Sequence, residues 1–419
     1  MLGLSNMDVL DAVFVFVVPS VLVILAVAGF IYSRRGDRTT SISRQVEIFK
    51  ERMANFDRWQ TAAKEVARVY QGVKEGDALA PLIARPEWVP KRPVLIGEVR
   101  SRLVTAPESD AAPKQMMHLL PSRTNGRRYH HFSHAIQELK LRPPEMFRDL
   151  PCYSLEGASW EDGAPTLDFS LSRYFEFIDT SEALAFEFAV ASGHKKQVNK
   201  RLLKYRMSLG DPTILGARRN VSSINTLTVR VDSVTKAPTF FLMRRSDKVA
   251  SESGLYGVIP SGMFQPASAA PTDIKEDLDL WRTIMREYNE EFLGAPDAVG
   301  IGGTSIDYDE DEPYRTFRLG LESGKMRGYY LGMGLDPLSL SAKILTAVVF
   351  DGDFFDETFA GIVTENDEGV LVSKKEHGRL VGLPLTEETV DDFRDNIKMG
   401  AGAEACVRAT LRHLDEILK

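Results

Sequence analysis

Val258-Ile259-Pro260-Ser261-Gly262 and Asp273–Leu293 (DIKEDLDLWRTIMREYNEEFL) carry the clearest pattern in this chain. The first segment is apolar and runs into proline and glycine, which is typical of a strand that breaks into a turn. The second segment opens with acidic residues, which favour the positive amino-terminal end of a helix. Together they predict a strand, a turn and a helix in that order, with a Ser/Ala/Pro-rich insertion between turn and helix.

Three carboxylates stand near the end of the predicted helix. Glu287, Glu290 and Glu291 are related by i, i+3 and i+4, so on a helix they project from one face and repel one another. A hard divalent cation such as Mg²⁺ prefers oxygen ligands and would offset this repulsion. Arg286 precedes the group and is placed to orient one carboxylate through a bidentate contact.

The residues before the turn also read as strands. Leu227, Val229 and Val231 alternate with polar residues, which predicts a half-buried strand. An apolar run, Phe240–Met243, follows Pro238 and ends in the pair Arg244-Arg245.

The segment Arg286–Glu291 resembles the core of the Nudix box, the Arg-Glu-apolar-x-Glu-Glu signature of Nudix hydrolases. Val258–Gly262 resembles the strand and glycine turn that open the box, and the paired arginines at 244 and 245 also suit the family. The resemblance covers about residues 225–419. It departs from the family pattern where a glutamate precedes the box arginine: that position is Leu278 here, between Asp277 and Asp279.

The resemblance implies an α/β (α+β) fold in which a mixed sheet is sandwiched between helices. The later sequence is consistent with that expectation. Ile344–Phe350 (ILTAVVF) reads as a buried strand, Phe354–Val363 as its partner, and Met399–Leu418 as a helix.

The same resemblance implies a metal-dependent hydrolase that cleaves a nucleoside diphosphate linked to another group, with Mg²⁺ or Mn²⁺ as cofactor. Its catalytic residues would be Glu287, Glu290, Glu291 and Arg286. The metal ligands would be those three glutamates with Glu368 from a later loop, for which Glu365 is the other candidate. Substrate-binding residues would be Arg244, Arg245 and Gly262. Two alternatives stay open: a Nudix-like module tethered to the membrane that binds a nucleotide without cleaving it, and a membrane-anchored scaffold without a ligand.

Residues 94–224 read as a mixed α/β region of unknown function. Asp168–Ile178 alternates for part of its length like a half-buried strand, and Asp179–Glu182 supplies capping residues for a following helix. Three histidines, His130, His131 and His134, follow a pair of arginines. A structural or surface role, a phosphate contact and a metal site are all compatible with their spacing.

The amino-terminal residues predict a membrane anchor. Residues 12–32 contain no charged side chain, and at about 1.5 Å per residue a helix of that length matches the hydrocarbon thickness of a bilayer. Arg34, Arg35 and Arg38 follow the run, which by the positive-inside bias places the amino terminus outside and the bulk in the cytoplasm. A cleaved signal peptide is less consistent, because Asp8 and Asp11, not basic residues, precede the run.

The sequence thus divides into a transmembrane anchor (1–35), a juxtamembrane amphipathic helix with a proline-rich connector (36–93), the mixed region (94–224) and the Nudix-like domain (225–419). Within 43–74, apolar residues recur at helical spacing. This pattern is typical of a stalk or packing helix, and a coiled coil that makes a homodimer is the alternative.

Composition limits the partners. The chain has 419 residues and a formal net charge of −7, which argues against nucleic acid. The bilayer is the partner that the anchor predicts, and a nucleotide-type small molecule is the ligand that the Nudix resemblance implies. Its two cysteines, Cys152 and Cys406, give no disulfide framework and fit a reducing compartment.

Overall fold

The computed structural model describes residues 18–74, 76–106, 114–144, 147–193, 198–246, 254–296, 306–365, 369–376, 379–396 and 398–419. The α-helices there are α1 (Val18–Tyr70), α2 (Phe132–Glu138), α3 (Tyr174–Phe177), α4 (Ala183–Ser192), α5 (Lys204–Ser208), α6 (Pro271–Glu276), α7 (Leu280–Glu291), α8 (Tyr314–Glu322), α9 (Gly352–Thr358), α10 (Glu387–Asn396), α11 (Ala401–Arg412) and α12 (Leu414–Ile417). A π-helix, Ile178–Glu182, joins α3 to α4.

The strands are β1 (Val94–Leu95), β2 (Arg100–Leu103), β3 (Pro151–Glu161), β4 (Ala164–Arg173), β5 (Ser222–Val231), β6 (Pro238–Phe240), β7 (Leu242–Arg245), β8 (Tyr256–Val258), β9 (Ser261–Met263), β10 (Met326–Leu335), β11 (Ala342–Asp351), β12 (Gly369–Val372), β13 (Lys374–Glu376), β14 (Arg379–Val381) and β15 (Leu383–Pro384).

One mixed sheet organises the carboxyl-terminal half. Its strand order is β1-β10-β11-β5-β6-β15, with β9 also paired to β5. Strands β5 and β11 run parallel in register from Ser222↔Ala342 to Val231↔Asp351, whereas the other pairs are antiparallel. Both central strands are buried along nearly their whole length, as strands covered on both faces are, although β5 carries several polar side chains.

Helices cover both faces of this sheet. Alternate strand residues point to opposite faces, so Ile344 and Val348 pack with α7, while Leu345 and Ala347 pack with α11. The helix predicted over Met399–Leu418 corresponds to α11 and α12. The prediction of an α/β class with helices on both sides of a mixed sheet is therefore confirmed at this level.

The middle region shares a core with that sheet. Strands β2, β4 and β3 form a separate small sheet, in which β3 and β4 are antiparallel. One face of this hairpin places Tyr153, Leu155 and Phe169 in the same cluster as Ile344 of β11. Strand β1, from the start of the middle region, belongs to the main sheet itself. The predicted division at residues 224 and 225 stays a prediction, and described strands on both sides of it pack together.

Helix α1 packs on the middle region. Phe49 and Phe56 are buried, and their rings lie 5.7 Å and 5.8 Å from that of Phe186 on α4. The amphipathic helix predicted over 43–74 is therefore observed through Tyr70 as a packing helix. Dimerisation stays a prediction.

The predicted membrane anchor is contradicted. Among the described residues, no helix combines the length and the apolar character needed to cross a bilayer. Helix α1 is long, but charged residues recur along its sequence from Arg34 onward. Residues 12–17 of the predicted anchor lie outside the described part of the chain. The prediction of a single-pass membrane protein with an outside amino terminus and a cytoplasmic bulk is therefore wrong on this finding.

Two further predictions need correction. Phe354–Val363, expected as a strand beside Ile344–Phe350, begins within helix α9, because Asp351 caps that helix by accepting from the backbone N–H groups of Asp353 and Phe354. The strand pattern predicted over Asp168–Ile178 holds only for its first part. Strand β4 ends at Arg173, and a helical segment starts at Tyr174.

Truncation of Leu227, fully buried between β5 and α11, should remove part of the core that the helix covers. We expect Leu227→Ala to cost about 2–5 kcal/mol of unfolding free energy, measured by urea denaturation. The matched variant Leu171→Ala changes a side chain that is 44% exposed on β4 and should shift stability far less. Equal losses in the two variants would contradict this placement of α11.

Candidate functional site

Helix α7 is set at its start by a side-chain cap. Asp279 accepts hydrogen bonds from the backbone N–H groups of Trp281 (2.7 Å) and Arg282 (3.1 Å), which satisfies donors that the first turn leaves open. The helix then buries Ile284 and Tyr288 against the sheet. This cap separates α7 from α6, so the single helix predicted over 273–293 is two helices.

Arg286 is buried and held by three separate segments. Its Nη1 donates to the Tyr308 hydroxyl (2.5 Å), and its Nη2 donates to the Gln265 carbonyl (2.5 Å) and to Thr283 Oγ1 (3.1 Å). Asp277 Oδ2 lies 3.4 Å from Nη1. The hydrogen bonds and the ion pair of the Arg286 guanidinium therefore hold α7 in place.

Asp277 completes this network. Its Oδ1 accepts from the Tyr308 hydroxyl (2.9 Å) and its Oδ2 accepts from the backbone N–H of Ala267 (2.7 Å). Burial alone would lower the pKa of Arg286, but the neighbouring Tyr308 and Asp277 outweigh it and hold that pKa above its usual value. Burial also raises the pKa of Tyr308. The cluster thus keeps Arg286 charged inside the protein.

Gly262 lies directly beneath a box carboxylate. A Cβ at this position would overlap the Oε1, Cδ and Oε2 atoms of Glu287. The turn and the helix therefore meet so closely that only glycine fits at 262 without moving Glu287. The sequence placed both residues in one candidate site, and the structure brings them into contact.

Glu291 also joins the helix to the turn. It is 2% exposed, and its Oε2 accepts from the backbone N–H of Ser261 (3.2 Å). Beside it, the hydroxyl of buried Tyr288 lies 2.8 Å from Thr228 Oγ1, and the Thr228 hydroxyl donates to the Ile259 carbonyl (2.7 Å). The central strand, the turn and α7 are thus linked by polar contacts within the core.

Glu290 is half-buried at the edge of this arrangement. Next to it, Asn289 Nδ2 donates to the Tyr314 hydroxyl (3.1 Å) at the start of α8. Burial, with a contribution from the charge of Glu290, raises the pKa of Tyr314. Glu287 has the same intermediate burial, so Glu287 and Glu290 are the two carboxylates of the helix that a solute can reach, whereas Glu291 is buried.

The predicted metal centre is not observed among the described residues. Within the described ranges, no group of three or more His, Cys, Asp or Glu side chains is arranged to hold a metal ion. Glu368 lies outside the described residues, and Glu365 is exposed beside β12. The assignment of Glu287, Glu290 and Glu291 as ligands stays a prediction.

Arg244 and Arg245 lie on β7, in a small sheet with order β12-β7-β8. Arg244 is exposed, and the Arg245 side chain packs within 3.8 Å of the position that a Cβ at Gly257 would occupy. Strand β8 of this sheet leads directly into the 258–262 turn. The pair therefore lies in a different sheet from Gly262, and its predicted role in substrate binding stays a prediction.

Sequence reasoning missed Tyr308, Gln265 and Thr228 as supports of the site. Sequence reasoning could have found Asp277, because this residue stands one position from where the Nudix pattern has its glutamate. Tyr308 is separated from Arg286 by a long stretch of chain, and Gln265 contributes only its backbone carbonyl. Neither leaves a signal in a short motif.

Comparison with known proteins gives little beyond this geometry. No protein-family model matches the chain, and no curated protein matches it. Among solved structures, a Nudix hydrolase from Alicyclobacillus acidocaldarius is similar at 14% identity and a TM-score of 0.24, covering 46% of this chain and 91% of that one. A match at this level assigns neither fold nor activity to the chain.

The buried pair of Asp277 and Arg286 should behave as a coupled unit. Arg286→Met leaves a carboxylate among buried groups without its cation, so we expect a loss of about 3–5 kcal/mol of unfolding free energy. In a double-mutant cycle, Asp277→Asn with Arg286→Met should cost clearly less than the sum of the single changes. Additive losses would show that the two side chains are independent.

Substitution at Gly262 should strain the contact with Glu287. We expect Gly262→Ala to destabilise the chain by about 1 kcal/mol or less, because the overlapping carboxylate is the end of a flexible side chain that can move aside. Glu287→Ala in the same chain removes the overlapping atoms and should restore much of the lost melting temperature. Failure of this rescue would mean that the strain at residue 262 has another source.

Proposed function

We propose that the 258–262 turn and α7 form a Nudix-type site that hydrolyses a nucleoside diphosphate linked to another group. The proposal takes residues 225–419 as the domain that carries the site. It extends the resemblance of Arg286–Glu291 to the Nudix box, which is an expectation from sequence.

One observation supports this reading more than any other. The glycine turn and the box helix, separated in sequence by an insertion, meet so that Gly262 lies under the Glu287 carboxylate and Ser261 donates to Glu291. A solvated acidic helix has no reason to place its carboxylates against a glycine turn. A turn and a helix that build one site do, because glycine lets the backbone approach the carboxylate closely.

The residues fall into two roles. Arg286, Asp277 and Tyr308 are positioning residues, because their buried hydrogen bonds fix α7 relative to the preceding segment. Glu290 is half-buried and would act as the general base that takes a proton from the attacking water. Glu287 and Glu291 hold the turn and present carboxylate oxygens beside it.

The donor set suits a hard cation. Glu287, Glu290 and Glu291 offer only oxygen atoms, the ligand type that Mg²⁺ and Mn²⁺ prefer, and Glu287 and Glu290 are both partly exposed. A bound cation would supply neutralisation of the diphosphate charge and acidification of water. Glu287 would be its main protein ligand, since Glu291 already accepts from Ser261 and Glu290 is assigned the role of base.

A second candidate is a Nudix-like domain that binds a nucleotide without cleaving it. The structural use of Glu291 favours it, because that carboxylate is 2% exposed and engaged with the turn. Such a domain would keep the architecture of the site and lack turnover.

The test uses the full chain with Mg²⁺ or Mn²⁺ and a panel of nucleoside diphosphate derivatives. We expect phosphate-bearing products whose rate of formation falls by about 100-fold or more in Glu290→Gln, as loss of a general base does. The matched control is Glu322→Gln, which changes a side chain that is 58% exposed on α8 and pairs with Arg318. It should leave turnover unchanged.

The other outcomes separate the candidates. Without turnover, a nucleotide-dependent rise in melting temperature that Glu290→Gln removes and Glu322→Gln keeps would establish the binding module. Turnover that survives in Glu290→Gln would contradict the role given to this carboxylate. Neither turnover nor stabilisation across the panel would count against both candidates.

A further inference from the structure

The histidine-rich stretch of the middle region folds into a defined pair of imidazoles. His131 lies at the start of α2 and His134 within its first turn, and their ring centroids are 4.6 Å apart with a 45° angle between the planes. The His131 side chain is 34% exposed, and His134 lies at the surface. Both rings can therefore be reached by a solute.

A buried carboxylate fixes the orientation of one ring. Asp179 is 5% exposed, and its Oδ2 lies 2.9 Å from His131 Nδ1. The same carboxylate accepts from the Ser133 backbone N–H (2.7 Å) and the Ser133 hydroxyl (3.0 Å). With Nδ1–H donated to Asp179, the lone pair of a neutral His131 ring stands on Nε2.

The carboxylate is carried by an unusual backbone element. Asp179 lies in the π-helix 178–182, whose residues are all buried. Single π-helical turns are rare, and those that exist are frequently found at functional sites. Here the turn supplies the acceptor that sets the His131 ring. Burial raises the pKa of Asp179, and its hydrogen bonds to Ser133 and His131 oppose that shift.

The second ring lies beside the first on the same turn of the helix and is exposed. A ligating histidine almost always donates its other ring N–H to a carboxylate or carbonyl, which is the arrangement of His131 and Asp179.

We propose that His131 and His134 form a binding site for a borderline divalent metal ion of the Zn²⁺ class, with Asp179 as the residue that orients His131. Water or a ligand from elsewhere would complete the coordination, because two imidazoles occupy only part of a tetrahedral shell. The site is independent of the box carboxylates and does not rest on the proposed hydrolase.

The histidine pair offers nitrogen donors to a metal, whereas the box carboxylates offer only oxygen donors. Imidazole suits Zn²⁺, Ni²⁺ and Cu²⁺, whereas a purely carboxylate group suits Mg²⁺ and Mn²⁺. Zinc binding that depends on His134 and is indifferent to Glu290 would therefore belong to the histidine pair.

The experiment titrates the full, chelator-treated chain with Zn²⁺, and separately with Mg²⁺, by isothermal calorimetry. We expect Zn²⁺ to bind with a Kd below roughly 1 mM and His134→Gln to weaken that binding by about tenfold or more, while Glu290→Gln leaves it unchanged. Asp179→Asn should weaken it by about 10–100-fold through the lost orientation of His131.

The matched control is His130→Gln, which makes the same chemical change at the exposed neighbouring residue and should not alter zinc affinity. Melting temperatures show whether each variant folds; because His134 is exposed, His134→Gln remains decisive even if Asp179→Asn does not fold. The proposal is overturned if the native chain binds no Zn²⁺, or if His134→Gln and His130→Gln bind it alike.

Discussion

A buried guanidinium is the constraint on which the carboxyl-terminal half depends. Moving a charge out of water costs several kcal/mol unless hydrogen bonds and an opposite charge replace the lost hydration. Arg286 obtains these from Asp277, Tyr308 and the Gln265 carbonyl, which come from three separate segments. Those segments must therefore meet around the helix. Their meeting fixes where α7 begins and how it faces the glycine turn.

The same principle ties the middle region to the sheet. Arg206 and Arg218 are buried, and their guanidinium groups donate to backbone carbonyls of the loop between β10 and β11, at Pro337, Leu338 and Leu340. Burial lowers the pKa of both to about 10, so they remain charged at neutral pH. The loop that joins β10 to β11 is thus held by Arg206 and Arg218, which precede strand β5 in the sequence. These contacts make the middle region a structural partner of the main sheet.

The two candidate sites differ in how far the fold shapes them. The box carboxylates lie on one helix, and their spacing follows from the helical repeat. The histidine pair becomes a site only because Asp179 reaches His131 from a π-helix far along the chain. The histidine spacing left a surface role, phosphate and metal open, since nothing in the local sequence shows that carboxylate.

Local periodicity determined the elements. Apolar alternation predicted β5, a continuous apolar run predicted β11, the acidic residues and the box spacing predicted a helix where α6 and α7 lie, and the predicted mixed α/β class is observed. Length and apolar character also suggested a membrane anchor, which the described helices contradict. Only the tertiary structure decided that Asp277 and Tyr308 hold Arg286, and that Gly262 lies under Glu287. The periodicity of apolar residues along an element shows which face each residue occupies. Contacts between distant segments depend on tertiary packing, which no short stretch of sequence encodes.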